Sequence, residues 1–223
     1  MERSYKVGTR ASPLALRQVE EVLENLRRFH PWIKTDIVTI ETTGDRDRST
    51  PISEIEGSDF FTREIDQALL EKRIDFAVHS AKDLPEDLRD GLTVSAITSC
   101  IDPYEALVSR SGLKLEELPY GAKIGTGSLR RKNGLKRFRP DFQIVDIRGN
   151  IEERLKLQDL DDIVIAACGL IRLGLEEKIT QRIPFDIIKP HPLQGRLAVV
   201  TRLEDTDLIK LISVIGQREE GPV

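Results

Sequence analysis

The stretch Gly125-Thr126-Gly127-Ser128-Leu129-Arg130-Arg131 follows an apolar strand and leads into a helix-compatible run. The same order of strand, small-residue turn with arginine, and helix recurs at Ile147-Arg148-Gly149-Asn150 and at Cys168-Gly169-Leu170-Ile171-Arg172. Helix N-termini and forked guanidinium groups both favour carboxylates or phosphates. The three turns therefore predict an α/β protein whose strand ends bind a small polyanion.

Strands and helices alternate along the whole chain. A strand at 5–8 precedes a helix in which Ser12 suits the N-cap and Pro13 the first position, and whose apolar stripe ends before Pro31. Further strands are predicted at 36–42, 74–79, 92–98, 123–124, 142–147 and 162–167, and further helices at 61–73, 103–108, from 128 and at 151–158. Short buried strands of this kind are typical of parallel sheets, in which ligands bind beyond the carboxyl ends of the strands.

The composition excludes several classes of function. The 223 residues carry a net charge of −4, so the cations in the three turns are a local arrangement. Aromatic residues make up only 5%, which argues against nucleic acid as the partner of the basic run 130–139. The longest apolar stretch, 163–171, is too short to span a bilayer, and the first residues contain no apolar signal region. We therefore expect no membrane or nucleic-acid partner.

The cysteines and histidines show no metal-binding or disulfide pattern. Cys100 and Cys168 are isolated, which favours a reducing, cytoplasmic location. His30, His79 and His191 lie far apart with no ligand-like spacing, so we interpret them as structural histidines and expect no metal site.

Each polar segment has a structural and a functional interpretation. The glycines and arginines of 125–131 suit either a binding turn or a solvated helix face. Asn150 and Glu153 have capping-box spacing, which leaves the Arg148 side chain free to point into a cleft. The Lys82-Asp83 pair is either a turn before Pro85 or a carboxylate that handles protons beside an amine substrate. The polar segment 44–59 is predicted to be a long loop that acts as a lid.

Five motifs, taken together and in this order, resemble the hydroxymethylbilane synthase (porphobilinogen deaminase) family. They are Thr9-Arg10-Ala11-Ser12-Pro13-Leu14-Ala15-Leu16, His79-Ser80-Ala81-Lys82-Asp83-Leu84-Pro85, the 125–131 stretch, Ile147-Arg148-Gly149-Asn150, and Gly169-Leu170-Ile171-Arg172-Leu173-Gly174-Leu175. The motifs cover nearly the whole chain. The family joins four porphobilinogens into a linear tetrapyrrole with release of ammonia, starting from a dipyrromethane primer on a cysteine.

The resemblance implies roles for individual residues. Asp83 is implied to be the catalytic carboxylate that stabilises the cationic azafulvene and moves protons. The implied substrate- and cofactor-binding residues are Arg10, Ser12, Phe61, Ser80, Lys82, Thr126, Ser128, Arg130, Arg131, Arg148, Gly149, Arg154, Arg172 and Gln194.

The resemblance also implies two α/β lobes similar to type-II periplasmic binding proteins. Lobe one is expected at 1–94 plus 195–223 and lobe two at 95–194, joined by crossing strands at 92–98 and 197–201.

Three features depart from the family pattern. The chain stops at Val223, where the family's third domain with its primer cysteine begins. The segment Gly57-Ser58-Asp59-Phe60-Phe61 lacks the usual lysine, and Arg196 and Leu197 are bulkier than usual after Gly195. We therefore expect a primer held non-covalently, on an unusual cysteine, or through a partner chain that supplies the third domain. The alternative function is a two-lobe binding protein for pyrrole carboxylates without turnover.

Overall fold

The first strand and helix form where the sequence predicts them. In this computed structural model, which describes residues 4–47, 50 and 59–216, β1 comprises Ser4–Thr9 and α1 comprises Pro13–Phe29. The Ser12 Oγ accepts a hydrogen bond from the Ala15 N–H at 3.2 Å and so caps the helix. In the apolar stripe of α1, Val19, Val22, Leu23 and Leu26 are buried and Leu14 and Leu16 are half-buried, which anchors the helix on the sheet.

The chain divides into two units, each with its own sheet. Among the described residues, unit 1 contains those up to 46, 59–100 and 196–216, and unit 2 contains 101–195 together with Asp47 and Thr50. The main part of unit 2 is entered after residue 100 and left after residue 195, and a shorter part of it begins after residue 46. The lobe limits expected from the sequence, 1–94 plus 195–223 and 95–194, stay a prediction.

Unit 1 is built on a five-stranded mixed sheet. Besides β1 and α1 it contains β2 (Lys34–Thr39), α2 (Thr43–Arg46), α3 (Arg63–Leu70), β3 (Phe76–Ser80), β4 (Leu92–Ile97), β10 (Leu197–Arg202) and α7 (Thr206–Ser213). The strand order is β2-β1-β3-β10-β4. The strands β1, β2 and β3 are parallel, and β10 runs antiparallel to β3 and β4. The helix α1 packs on one face of the sheet and α3 on the other.

Unit 2 has a second five-stranded mixed sheet. Its elements are β5 (Glu105–Ser109), β6 (Lys123–Gly125), α4 (Leu129–Phe138), β7 (Gln143–Val145), α5 (Ile151–Leu155), β8 (Asp162–Ala166), α6 (Ala167–Arg172) and β9 (Gln181–Ile183). The strand order is β7-β6-β8-β5-β9. β6 is parallel to β7 and β8, whereas β5 is antiparallel to β8 and β9. Each sheet therefore combines parallel strands, of the kind that the sequence indicates, with antiparallel ones.

The largest error of the sequence-based assignment is at 103–108, where the predicted helix is in fact β5. β5 lies between β8 and β9, and Ala106 and Leu107 are fully buried. A short apolar run buried on both faces has no alternation, so periodicity alone does not separate strand from helix.

The predicted lid segment 44–59 begins with a helix and not a loop, because α2 extends to Arg46. Most of the remainder, residues 48–49 and 51–58, lies outside the described residues. A 3₁₀ turn follows at Asp59–Phe61, so the helix predicted at 61–73 starts only at Arg63 and ends at Leu70. Within the described residues, no helix has both the length and the apolarity needed to cross a bilayer.

Candidate active site

The carboxyl ends of three parallel strands meet at one edge of the unit 1 sheet. β1 leads into Arg10 and Ser12, and β3 ends at Ser80 and leads into a 3₁₀ turn, Ala81–Asp83. Because β1, β2 and β3 are parallel, these segments end at the same edge. Five of the residues implied by the resemblance line one pocket here, namely Arg10, Ser12, Phe61, Ser80 and Asp83. Lys82 lies in the same 3₁₀ turn as Asp83.

Arg10 is held from two sides. Its guanidinium forms a forked interaction with the Asp45 carboxylate, with Nε 3.0 Å from Oδ1 and 3.3 Å from Oδ2. Its central carbon also lies 4.6 Å from the centre of the Phe61 ring. Burial raises the pKa of Asp45, but hydrogen bonds from Arg10 and Thr42 outweigh this and hold that pKa below its usual value. Sequence reasoning missed Asp45, which lies in α2 within the expected loop.

Two serine hydroxyls take part in local hydrogen bonds. Ser12 caps α1, and the Ser80 Oγ accepts a hydrogen bond from Gln18 Nε2 at 2.8 Å. A hydroxyl that accepts one hydrogen bond still has its own proton to donate. Both serines can therefore serve as donors to a ligand in the pocket.

Asp83 is the exposed carboxylate of the pocket. The turn that carries it is fixed by the Ala81 N–H, which donates to the Arg196 carbonyl at 3.0 Å. Within the described part of the chain, the Asp83 carboxylate has no hydrogen-bond or ion-pair partner. Its anionic group is thus presented by a fixed backbone to whatever enters the pocket.

In unit 2 the three arginine turns also lie at one edge. They follow β6, β7 and β8, which are mutually parallel, so the shared edge expected for them is confirmed. Glu105 lies at the same edge because β5 runs antiparallel to β8 and pairs Glu105 with Ala166. The Glu105 side chain is fully buried, with Oε1 2.6 Å from Arg130 Nη2 and Oε2 2.8 Å from Arg131 Nε. Sequence reasoning missed Glu105 because its segment was assigned to a helix.

The other arginines donate to main-chain carbonyls. Arg148 Nη2 donates to the Asp47 carbonyl at 2.6 Å. The sequence-based expectation that this side chain is free is therefore wrong. Arg154 Nε donates to Gly149 at 2.8 Å, and Arg172 Nη2 donates to Gly195 at 3.0 Å. These bonds orient the three guanidinium groups.

The predicted capping box at the start of α5 is confirmed. Asn150 Oδ1 accepts from the Glu153 N–H at 2.8 Å, and the Glu153 carboxylate accepts from the Asn150 N–H at 2.8 Å. Gly149 has a φ of +98°, and a Cβ there would lie 2.5 Å from the Glu153 carboxylate. Glycine is therefore required next to Arg148 by the backbone and by the cap.

The three remaining predicted residues differ in their surroundings. Thr126 is fully buried, and within the described residues its Oγ1 has no hydrogen-bond partner. Ser128 precedes α4 without a side-chain cap bond. Gln194 is buried, and its Nε2 donates to the carbonyls of Pro103 and Tyr104 at 2.9 and 3.2 Å. Thr126 and Ser128 present hydroxyls at the arginine edge, whereas the Gln194 amide nitrogen supports the main chain.

The architecture is that of a known class of α/β fold. The methionine binding protein MetQ is similar with a TM-score of 0.58 and 15% identity, over 97% of this chain and 91% of that one. The VFT2 domain of Bordetella pertussis BvgS is similar with a TM-score of 0.53 and 14% identity, over 94% and 85% of the two chains. The chain has the α/β fold of type-II periplasmic binding proteins, as the sequence implied. At these identities the likeness concerns the fold alone.

Sequence comparison then specifies the family. A profile described as porphobilinogen deaminase, dipyromethane cofactor binding domain, matches residues 5–210. The porphobilinogen deaminase of Syntrophomonas wolfei is 44% identical over 220 residues, covering 97% of this chain and 72% of that protein. The enzyme of Desulforamulus reducens is 41% identical over 222 residues, covering 98% and 72%. The chain belongs to the porphobilinogen deaminase family. It is a transferase with hydroxymethylbilane synthase function in porphyrin biosynthesis.

Proposed function

We propose that Asp83 is the catalytic residue of the condensation and that the pocket of unit 1 is where it acts. The observation that carries this proposal is the exposed Asp83 carboxylate, which shares a pocket with Arg10, Ser12 and Ser80. Nothing in the structure favours the alternative of a binding protein without turnover.

The chemistry needs an anion beside a developing cation. In each condensation the C–N bond of the porphobilinogen aminomethyl group breaks, ammonia leaves, and a cationic azafulvene remains. A pyrrole carbon of the growing chain attacks its methylene, and a proton is then lost from that carbon. A fixed carboxylate stabilises the cation electrostatically and accepts protons. Asp83 fits both roles because its backbone turn is held and its carboxylate is accessible.

The cations of both units are suited to the carboxylates of the substrate. Porphobilinogen carries an acetate and a propionate, and forked guanidinium groups bind carboxylates in two parallel hydrogen bonds. The hydroxyls of Ser12, Ser80, Thr126 and Ser128 add neutral donors. We propose that Phe61 and Lys82 complete the set in unit 1, and that Gly149 and Gln194 complete the set in unit 2.

The residues of unit 2 fit the dipyrromethane cofactor that belongs to the family. The buried Thr126 Oγ1 has no partner within the described residues, and Arg130, Arg148, Arg154 and Arg172 lie on turns at the same edge or immediately beyond them. This donor set matches a group that carries several carboxylates. When bound, dipyrromethane supplies the pyrrole carbon to which the first substrate is joined. Arg130, Arg131, Arg148, Arg154 and Arg172 would hold its side chains.

Substitution of single arginines should weaken ligand binding. We expect Arg130→Leu and Arg148→Leu each to raise the calorimetric Kd for porphobilinogen about tenfold, because a charge-assisted hydrogen bond is lost. The loss should be larger at low salt, where charge pairing is less screened. Arg131→Leu should also weaken binding, but with a loss of stability, since Arg131 is buried and paired with Glu105.

Arg17→Leu serves as the control, because Arg17 is exposed and lies outside the pocket. Unchanged affinity in all three variants would place these arginines outside the binding site.

We expect neither cysteine of the chain to carry a covalently attached dipyrromethane primer. Cys168 is buried in α6, one residue after the helix start, and Cys100 is half-buried. Buried cysteines generally behave as small apolar side chains. We expect the 223-residue chain, made in a porphobilinogen-producing host, to show its unmodified mass in intact-mass spectrometry. An adduct of dipyrromethane mass that disappears in Cys168→Ser or Cys100→Ser would contradict this and identify the attachment site.

Three further expectations stay proposals. A cytoplasmic location follows from the isolated cysteines. A partner chain that supplies a third domain is a proposal that rests on the family resemblance alone. The basic run 130–139 serves carboxylate binding and not nucleic acid.

A further inference from the structure

The lining of the unit 1 pocket includes two further polar side chains, His79 and Thr9. They are only 6% and 1% exposed. Within the described part of the chain, His79 Nε2 and Thr9 Oγ1 have no hydrogen-bond partner. Buried polar atoms in folded proteins are nearly always hydrogen-bonded, because an unpaired one lowers stability. Two such atoms at one pocket therefore indicate that His79 and Thr9 form hydrogen bonds with a bound ligand and not with the protein.

The His79 ring is uncharged. Burial lowers its pKa to about 4, and the nearby charge of Arg10 contributes in the same direction. A neutral imidazole offers one N–H donor and one lone pair, and the Thr9 hydroxyl can also donate. The pair thus supplies two uncharged donors in the lining of the pocket.

The charge of Arg10 determines whether a carboxylate or an ammonium group of the substrate binds beside these donors. Arg10 Nε and Nη2 donate to Asp45, while Nη1 has no hydrogen-bond partner among the described residues. The positive field that disfavours an imidazolium at His79 also disfavours the ammonium of a substrate aminomethyl group. The same field favours a carboxylate, whose two oxygens accept several hydrogen bonds.

We infer that His79 and Thr9 are specificity-determining residues that, with Arg10, bind the carboxylate of one side chain of the pyrrole substrate. Arg10 supplies the charge, and the His79 N–H and the Thr9 O–H donate to the carboxylate oxygens. The inference rests on the proposed function, because it assigns these contacts to the porphobilinogen pocket. It also replaces our interpretation of His79 as a structural histidine.

The test measures affinity and stability separately. Porphobilinogen is titrated calorimetrically into the full chain and into His79→Leu, His79→Gln and Thr9→Val. We expect a Kd about tenfold weaker in His79→Leu and in Thr9→Val, and a smaller loss in His79→Gln, which keeps an N–H donor. The melting temperature should be equal or higher in the apolar variants, because each removes an unpaired polar atom. A purely structural role would instead lower the melting temperature and leave Kd unchanged.

Thr201 provides a matched control in the same sheet. It is fully buried like Thr9, but its hydroxyl lies 2.6 Å from Ser95 Oγ. Thr201→Val should therefore lose stability and keep its affinity for porphobilinogen.

A second ligand tests the group that is recognised. Porphobilinogen with both carboxylates methylated should bind the parent chain more weakly than porphobilinogen, and this difference should shrink in His79→Leu and Thr9→Val. Parental affinity, within twofold, in both variants would overturn the inference and leave the proposed function standing. Absence of binding to the parent chain would overturn the proposed function itself. If His79→Leu fails to fold, Thr9→Val and His79→Gln decide between these outcomes.

Discussion

Asp83→Asn is expected to reduce the rate of tetrapyrrole formation from porphobilinogen on the order of 10²–10⁴-fold. The amide keeps the shape of the side chain but carries no charge, so it neither stabilises the azafulvene nor accepts its protons. Affinity for porphobilinogen should change little, because the arginines and serines remain. Stability should also be preserved, since Asp83 is exposed on a turn that is fixed by the Ala81 main chain.

The measurement is a time course of tetrapyrrole formation together with calorimetric binding. Asp87→Asn serves as the control, because Asp87 is an exposed aspartate four residues further along the same segment. A rate for Asp83→Asn close to that of the parent would show that another group handles the cation, and the catalytic assignment would then be wrong.

Glu105→Gln is expected to lower the free energy of unfolding by about 3–5 kcal/mol. The Glu105 side chain is fully buried and meets Arg130 and Arg131 at 2.6 and 2.8 Å. Arg131 is itself buried, so removal of the negative charge leaves a guanidinium with no counter-charge at this position. Desolvated charges without partners are among the costliest features of a folded protein.

Urea unfolding followed by circular dichroism measures the loss. Glu177→Gln is the control, since Glu177 is exposed in the same unit. Coincident unfolding curves for Glu105→Gln and the parent would contradict the view that Glu105 holds the two arginines. The affinity for porphobilinogen should fall as well, because the arginines lose the group that orients them.

Local signals made much of the fold predictable. Helix α1 is predictable from one stretch of chain, which contains Ser12, Pro13 and the apolar stripe. The capping box of Asn150 and Glu153 is predictable from only four residues. The strand-turn-helix pattern likewise placed three arginine turns at one edge of a parallel arrangement. The family resemblance rests on the same short motifs, and the family profile that matches residues 5–210 agrees with it.

Other features depend on partners that are distant in sequence. The strand identity of β5 follows from its place between β8 and β9, which the apolar run itself does not encode. Arg10 donates to Asp45, which is 35 positions away in sequence, and Arg148 donates to the Asp47 carbonyl, which is 101 positions away. Such pairings depend on how separate segments are packed, so no local pattern announces them.

The sequence by itself determined the alternation of strands and helices, the helix caps, the strand-end position of the arginines and the family. These follow from backbone preferences and spacing within a few residues. Only the tertiary structure decided that Glu105 is the shared partner of Arg130 and Arg131, and that His79 Nε2 and Thr9 Oγ1 are buried at the pocket without hydrogen-bond partners among the described residues. The burial of a side chain and its pairing with a charge depend on residues from several strands and helices. Those residues come close together only when the sheets have formed.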